Sequence, residues 1–575
     1  MEKLRVKLAK SAGFCWGVER AIDIVLDTAN ETDAPVFTHG PLIHNPQTVN
    51  LLEHKNITAY DPASTPRDNG LLVIRAHGIS PQVREKLRTS GSTIRDATCP
   101  LVAKVHGIIR KHSRLGAHSV IIGEKGHPEV EGHMGYAEAG HTLVTCSEDL
   151  EKIPKGVDDV IVVAQTTINM GDWGDVIKTI KARYPKAQMF NTICDATEVR
   201  QEEVRRIAPG VDLMIIVGGR NSGNTTRLAE VAKEKGTTAL LIETEDEIDP
   251  DYVRKFKNVG VTAGASTPDW MIRRVVNRLE SIPDEEERLP DKLAQGLKIL
   301  SRSNALLLVT ASMAAIATSA LGNFSISAAS VSVAALYLFS MHTMNRCTGF
   351  EADRFNEPNR AQFYAKHRGT LLAASGVAGF LSLGLSLTLS PSVTAVMLSG
   401  IALGGFYSLR MEPRALKMGR VMDFPASKTL VVTVGWTTSL AGIPALAQPE
   451  NVGSAWPIAL IFAFGMTLLR SGIIELRDIQ GDRIVGKRTL PIVFGKGRTE
   501  VLLNTVCSAM SVMLVSGVAN EWIAPGIGLA MLIPVAFAAL GVWLYKHQII
   551  GHSGLTEAAV DFQFICAGAA ALVML

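Results

Sequence analysis

SAGFCWGVERAI, Ser11 to Ile22, sets a cysteine between two aromatic residues, with a glycine outside each. Gly13 and Gly17 allow close backbone approach and dihedrals that other residues resist. Val18 to Ile22 reads as a first helical turn, so Cys15 stands at the mouth of a helix. The positive end of the helix dipole favours a thiolate there, as a metal ligand or a nucleophile needs. A buried structural cysteine is the plain alternative.

The same junction recurs. RDATCPLVAKVH puts Cys99, and NTICDAT puts Cys194, at a strand end followed by a helical pattern. Around them, apolar runs alternate with helical stretches. GLLVIRAHG, SVIIGEKG, DDVIVVAQTT, DLMIIVGGRNSG and NVGVTAGAS read as strands, and SPQVREKLRTSG and NTTRLAEVAKEKG as helices. Such alternation implies parallel sheets with crossover helices, and ligands gathered beyond the carboxyl ends of the strands. The absence of any CxxC pair argues against zinc-finger spacing. Three separated thiolates suit one shared cluster with an iron left open for substrate. Cys146, in TLVTCSEDL, lacks a comparable setting and reads as structural.

At 575 residues the chain exceeds one ordinary domain, and its 47% hydrophobic content is unevenly spread. Up to Ile282 it reads as a mixed, charged α/β protein. The segment IPDEEERLPDKLAQG then reads as the start of a charged linker over 283–300, and long apolar runs follow from 301 to 575. A net charge of +3, without a basic block carrying interleaved aromatics, argues against nucleic-acid binding. Seven scattered cysteines point to a reducing compartment rather than a disulfide framework. The start MEKLRVKLAK is strand-like and has no apolar core of a signal peptide.

His44 in GPLIHNPQTV, His77 in RAHG and His127 in GHPEVEGHMG all follow apolar runs and border Gly or Pro. NSGNTTR, Asn221 to Arg227, and AGAST, Ala263 to Thr267, add hydroxyl and amide groups at helix starts. Such groups bind phosphate without many lysines. No Walker A or GxGxxG motif is present, so the anion is not read as a nucleotide's.

GFCWGVERAI, GPLIHNPQTV, RAHG, DATCPLVAKVH, GHPEVEGHMG, QTT, NSGNTTRL and GVTAGASTP stand in the order found in the LytB/IspH family of 4-hydroxy-3-methylbut-2-enyl diphosphate reductases. The resemblance covers nearly all of residues 4–282. It implies a three-module, trefoil-like α/β domain over residues 1–282, built around a [4Fe–4S] cluster. Carried over by motif, the ligands are Cys15, Cys99 and Cys194. The diphosphate contacts are His44, His77, His127, Ser222, Asn224, Ser266 and the backbone of Gly223, where the family usually has another Ser. Glu129 is the implied proton source, and Thr166 orders the substrate hydroxyl. Where the family often has Thr, this chain has His133. The implied reaction removes an allylic hydroxyl with two electrons and protons, giving isopentenyl and dimethylallyl diphosphate. An electron donor such as ferredoxin or flavodoxin is implied as a partner. A carboxyl in a closed pocket serves as an acid near neutral pH if burial raises its pKa.

Beyond residue 300, about nine apolar runs approach the roughly 20 residues that span a bilayer. They lie near 303–321, 325–344, 369–389, 392–409, 428–447, 455–474, 501–519, 524–545 and 556–575. The loops 345–368, 408–420 and 475–499 are rich in Lys and Arg, whereas the alternate loops lack both. The positive-inside rule puts the basic loops in the cytoplasm. An odd span count would then give a multi-pass membrane protein with its N-terminal half cytoplasmic and its C-terminus outside.

Two of those loops carry carboxylates just past a helix end. NRCTGFEADRFNEPNR has Asn345, Glu351, Asp353 and Asn356, and ELRDIQGDRIVGKRTLP has Glu475, Asp478 and Asp482. Two facing acidic sets suit Mg²⁺ held against a diphosphate. The second loop resembles the UbiA family of intramembrane prenyltransferases. The first resembles that family's Asn-x3-Asp-x3-Asp motif at Asn345 and Asp353, but Gly349 replaces the middle Asp. Glu475 likewise replaces an Asp. YSLRMEPRALKMG, Tyr407 to Gly419, sits where that family binds diphosphate. The resemblance implies prenyl transfer from a prenyl diphosphate. The alternative is a degenerate anchor or isoprenoid-binding module.

Overall fold

The computed structural model describes residues 4–32, 34–43, 45–60, 70–89, 93–168, 170–282, 289–408, 426–547 and 556–575. The chain divides into two compact units, Met1–Glu285 and Glu286–Leu575.

In the first unit, the described strands form three parallel sheets of four. One runs, in spatial order, Arg5–Leu8, Asn258–Ala263, Leu213–Val217, Thr238–Ile242. The second runs Ile57–Tyr60, Val36–His39, Leu71–Ile74, Thr93–Asp96. The third runs His141–Val144, His118–Ile122, Val160–Ala164, Gln188–Met189. The central strands HSVII, VIVVA and LMIIV are buried at every position, as strands covered on both faces should be. Apolar clusters fill the layers between sheets and helices.

This topology positions the cysteines. The first strand does not join the sheet that follows it in sequence; Val6 pairs with Val259, close to the end of the unit. Arg5–Leu8, Thr93–Asp96 and Gln188–Met189 are each the edge strand of their own sheet. Each runs on into a cysteine and then a helix: Trp16–Glu31, Pro100–Ser113 or Asp195–Ile207. The three thiols therefore sit at sheet edges rather than behind central strands.

The second unit is helical. Of about nine expected spans, six or seven are met among the described residues. Six helices among the described residues are long and apolar enough to cross a membrane: Pro358–Ser386, Ser427–Ala447, Ala455–Arg477, Lys496–Ala519, Pro525–Lys546 and Thr556–Met574. A bent pair, Gln295–Arg302 with Ala305–Leu321, makes seven if counted as one span. Pro391–Gly405 is a shorter apolar helix, and Ala328–Gly349 falls outside the set because its last turns carry His342, Asn345 and Arg346. Parity therefore no longer fixes the side of the C-terminus. The segment read as a linker is helical over Leu289–Arg302. It bends by 77° into the next helix at Asn304, which takes a left-handed conformation with φ 61°. Ala455–Arg477 is the most enclosed of the spans, and Trp436, Phe462 and Phe564 pack at the core. Phe380, Leu387 and Val573 stay exposed, as side chains facing lipid would.

Candidate active site

Cys15, Cys99 and Cys194 are the N-cap residues of their helices, and none uses its side chain to cap. An N-cap normally spends its side chain on an orphan N–H group. Here the sulfurs are left for another partner. They converge: a Cβ on Gly17 would lie 2.5 Å from Cys99 Sγ, so only glycine fits beside that thiol. Each of Cys99 and Cys194 also feels the charge of Cys15. Burial pushes the Cys99 and Cys194 thiols up, although N–H groups of the following helix turn pull the other way. The helix mouth alone therefore does not secure the thiolate, contrary to the sequence expectation. An electrophilic partner has to complete the ionisation.

Among the described residues, no three His, Cys, Asp or Glu side chains lie close enough to hold one metal ion. Three converging thiols without a side-chain cap suit a body that takes several sulfurs at once, and an iron–sulfur cluster is such a body. Sequence reasoning missed Arg200. It is 5% exposed, donates to Gly13 O at 2.7 Å and Ala196 O at 2.8 Å, and lies near Cys15 and Cys194. Its signal was an arginine one and a half turns into a cysteine-capped helix.

Glu129 is 2% exposed on the helix Pro128–Tyr136. Thr166 N–H donates to Glu129 Oε1 at 2.7 Å, and Thr166 Oγ1 donates to Oε2 at 3.0 Å. The backbone of the same threonine accepts from Cys194 N–H at 2.8 Å, which ties the carboxylate to the third cysteine loop. His133, fully buried one turn on, places Nε2 3.3 Å from Glu129 Oε1. Burial raises the Glu129 pKa, but His133, the Thr166 N–H and His77 outweigh it and bring the pKa to about 2. The expectation of a carboxyl raised by burial is thus reversed in the ligand-free state.

His127 caps its helix by accepting from Glu129 N–H at 3.2 Å, and its ring meets His77 edge-on at 5.5 Å. Burial lowers the His127 pKa, with Glu129 and Glu124 opposing. The ring is therefore a neutral hydrogen-bonding group until an anion arrives. His106 stacks on Tyr136 at 4.3 Å and lies 5.1 Å from His133. Burial and the His133 charge bring its pKa down to about 3.

Ser222 caps the helix Gly223–Glu234 through Thr225 N–H. Next to it, both amide atoms of Asn224 are buried without a partner. A buried amide with neither its donor nor its acceptor used marks a place built for a ligand. Nothing but Glu124 Oε1, at 3.8 Å, would meet a Cβ on Gly223, so the backbone there is open to an approaching anion. Ser266 is half-buried after the strand Asn258–Ala263. His44 lies outside the described residues.

Residues 6–280 match the LytB protein family model, and residues 305–564 match the model of the UbiA prenyltransferase family. The 4-hydroxy-3-methylbut-2-enyl diphosphate reductase of Aquifex aeolicus is 42% identical over 278 residues, covering 48% of this chain and 96% of that protein. The chain belongs to this reductase family. The reductase of Opitutus terrae is 39% identical over 291 residues, covering 48% of this chain and all of that protein. A solved 4-hydroxy-3-methyl-but-2-enyl diphosphate reductase is 41% identical, covers 48% of this chain and all of that one, and superposes with a TM-score of 0.42. A UbiA homologue from Aeropyrum pernix is 12% identical, covers 46% of this chain and 97% of that one, and gives 0.37. The stretch that the UbiA family model matches, residues 305–564, lies after the reductase unit.

In the membrane unit the two acidic loops meet. Asn356 Oδ1 accepts from Gly481 N–H at 3.1 Å, and Arg477 Nη1 donates to Glu357 Oε1 at 3.2 Å. The carboxylates are already engaged by the protein. Asp353 is bound by Arg360 through both oxygens, at 2.9 and 3.2 Å. Asp478 is bound by Arg477 at 2.7 and 3.0 Å. Glu475 accepts from Thr429 Oγ1 at 2.6 Å and Leu490 N–H at 3.1 Å. Asp482 faces Lys487 at 3.2 Å and Lys428 at 3.9 Å. Asn345 is half-buried, and Glu351 is exposed. The basic loop beyond Ser408 lies outside the described residues. Sequence reasoning missed Arg346, Arg360, Arg470, Glu557 and Asp561, although an ionisable residue inside an apolar run is a recognised signal.

Proposed function

We propose that the reductase unit removes the hydroxyl of 4-hydroxy-3-methylbut-2-enyl diphosphate to give isopentenyl and dimethylallyl diphosphate. The convergence of three uncapped cysteines beside the buried Glu129–Thr166 pair carries this reading. The reaction takes two electrons and two protons; one proton leaves with oxygen as water and the other ends on carbon. A [4Fe–4S] cluster held by Cys15, Cys99 and Cys194 supplies the electrons and a Lewis acid. Ser222, Asn224, Ser266, His44, His77 and His127 receive the diphosphate, with the open N–H of Gly223. Its negative charge raises the pKa of Glu129 and of His127. Glu129 then takes up a proton and passes it to the substrate oxygen, which Thr166 Oγ1 orients. His133 keeps the carboxylate charged until that moment.

Electrons come from a one-electron carrier protein such as a ferredoxin or flavodoxin. Trp16, 62% exposed beside Cys15, supports a docking face near the cysteines. The basic loops favour a cytoplasmic reductase unit. In the membrane unit, Lys428 and Lys487 attract a prenyl diphosphate and release Asp482, which, with Asp478 freed from Arg477, would hold Mg²⁺ for prenyl transfer. The engagement of every motif carboxylate favours the second reading, an anchor or isoprenoid-binding module. The full chain, purified without oxygen in detergent, should convert the substrate to both five-carbon products under a strong one-electron reductant. A protein with full iron content that forms neither would end the reductase reading.

A further inference from the structure

We infer that Arg346 stands in place of a divalent cation at the first acidic motif, so that this side of the membrane unit binds no metal. Arg346 lies one turn before Gly349 on the helix Ala328–Gly349, and its guanidinium donates to Glu557 of the helix Thr556–Met574. Arg360 joins Glu557, at 2.5 Å, to Asp353, the one carboxylate that the motif retains. Arg470 binds Asp561 at 2.5 Å and reaches Glu557 at 3.4 Å. Three arginines thus face three carboxylates, and every side chain is at most 16% exposed.

Two features of this set oppose a dication. Arg360 and Arg470 each span two carboxylate oxygens, which a spherical ion does only by recruiting waters, and Arg346 adds a third buried cation that donates to Glu557 through one nitrogen while its Nη1 has no partner among the described residues. The set is also charge-neutral, so a dication would enter against a buried guanidinium and find no free carboxylate. Mg²⁺ selects carboxylates, waters and phosphate oxygens, and Gly349 supplies none of these. A Cβ at Gly349 would meet nothing within 4 Å, so the missing carboxylate does not reflect lack of room. Arginine and glycine together have exchanged a metal site for an ion-pair lock. The inference rests on the prenyl-diphosphate reading only in leaving one ion to the second motif, where Asp482 faces two lysines that a diphosphate would draw away and Asp478 is held by Arg477.

Mn²⁺ binding to the detergent-solubilised full chain, followed by loss of the free-ion electron paramagnetic resonance signal, tests this. Wild type should bind at most one Mn²⁺, and Arg346→Ala with Gly349→Asp should bind one more. Glu557 keeps two arginines in that variant, which preserves folding. Gly349→Asp alone should add none, because Arg346 pairs with the new carboxylate. Two ions on wild type, a gain in the single variant, or no gain in a double variant with unchanged thermal unfolding would each overturn the inference. Asp478→Asn with Asp482→Asn reads the second motif separately. Loss of the wild type's single ion there supports the prenyl-diphosphate reading, whereas wild type binding none while the double variant binds one removes that reading and leaves this inference standing.

Discussion

In the reductase unit both amide atoms of Asn224 are buried without partners, and three cysteines stand at N-cap positions without a side-chain cap. In the membrane unit Glu557 and Asp561 are as deeply buried, yet Arg346, Arg360 and Arg470 meet them from three other helices. Burying a polar group costs free energy unless a partner compensates it. An unmet group therefore points toward a ligand still to come, and a met one toward architecture. One chain carries both kinds of polar centre, and the difference separates a site awaiting substrate from a framework whose buried carboxylates are already paired.

The largest effect should come from Cys99→Ser, which is expected to abolish turnover and lower iron content in the full chain. Cys146→Ser should change neither, since that thiol is exposed. Equal iron loss in the two would erase the distinction drawn here. In the membrane unit, Arg470→Met leaves Asp561 without its arginine. Breaking a buried pair from one side typically costs about 3–5 kcal/mol. Thermal unfolding of the membrane unit in detergent should shift accordingly, with reductase turnover below the transition unchanged. An unshifted transition would show that the arginines are not structural.

Glu129→Gln should slow turnover about a hundredfold or more, the usual scale for a general acid, with the iron content kept. Near-normal turnover would move the proton source to His133. The smallest effect concerns His133→Thr. Glu129 is held at about 2 in the folded unit, against 4.5 for a free carboxyl. A depressed pKa contributes stability above pH 4.5 and loses it as pH falls toward 2. Removing His133 raises the folded pKa, so the variant should be less stable than wild type above pH 4.5 and approach it toward pH 2. Denaturant titrations across that range check the sign; a gap that widens toward acid would contradict it.

The cysteine positions were legible because a cap is local: the residues on either side decide it. The closure of the first sheet was not, because Val6 meets Val259 only in three dimensions. Glu129 was legible as an acid in a glycine-rich loop, but its pKa was not. That value depends on Thr166, 37 residues away, and on His133 outweighing burial. Hydropathy found the apolar runs beyond residue 300, but among the described residues Ala328–Gly349 does not count as a span, since it carries the polar face that meets Glu557. The charges of Arg470 and Asp561 were visible in their apolar runs; their pairing across 91 residues was not.

The arginine lock also orders events during synthesis. Arg346, Arg360 and Arg470 enter on helices made before Thr556–Met574, which carries Glu557 and Asp561. A ribosome working from the N-terminus therefore delivers Arg346 and Arg470 ahead of the anions that match them, whereas Arg360 already has Asp353. Lipid does not solvate such charges, so the early helices have to wait beside headgroups or within the insertion machinery. Maturation of the membrane unit is then a single late event, triggered by the arrival of one helix. Premature termination before residue 556 would leave Arg346 and Arg470 without Glu557 and Asp561, a substrate for membrane quality control rather than a shortened unit.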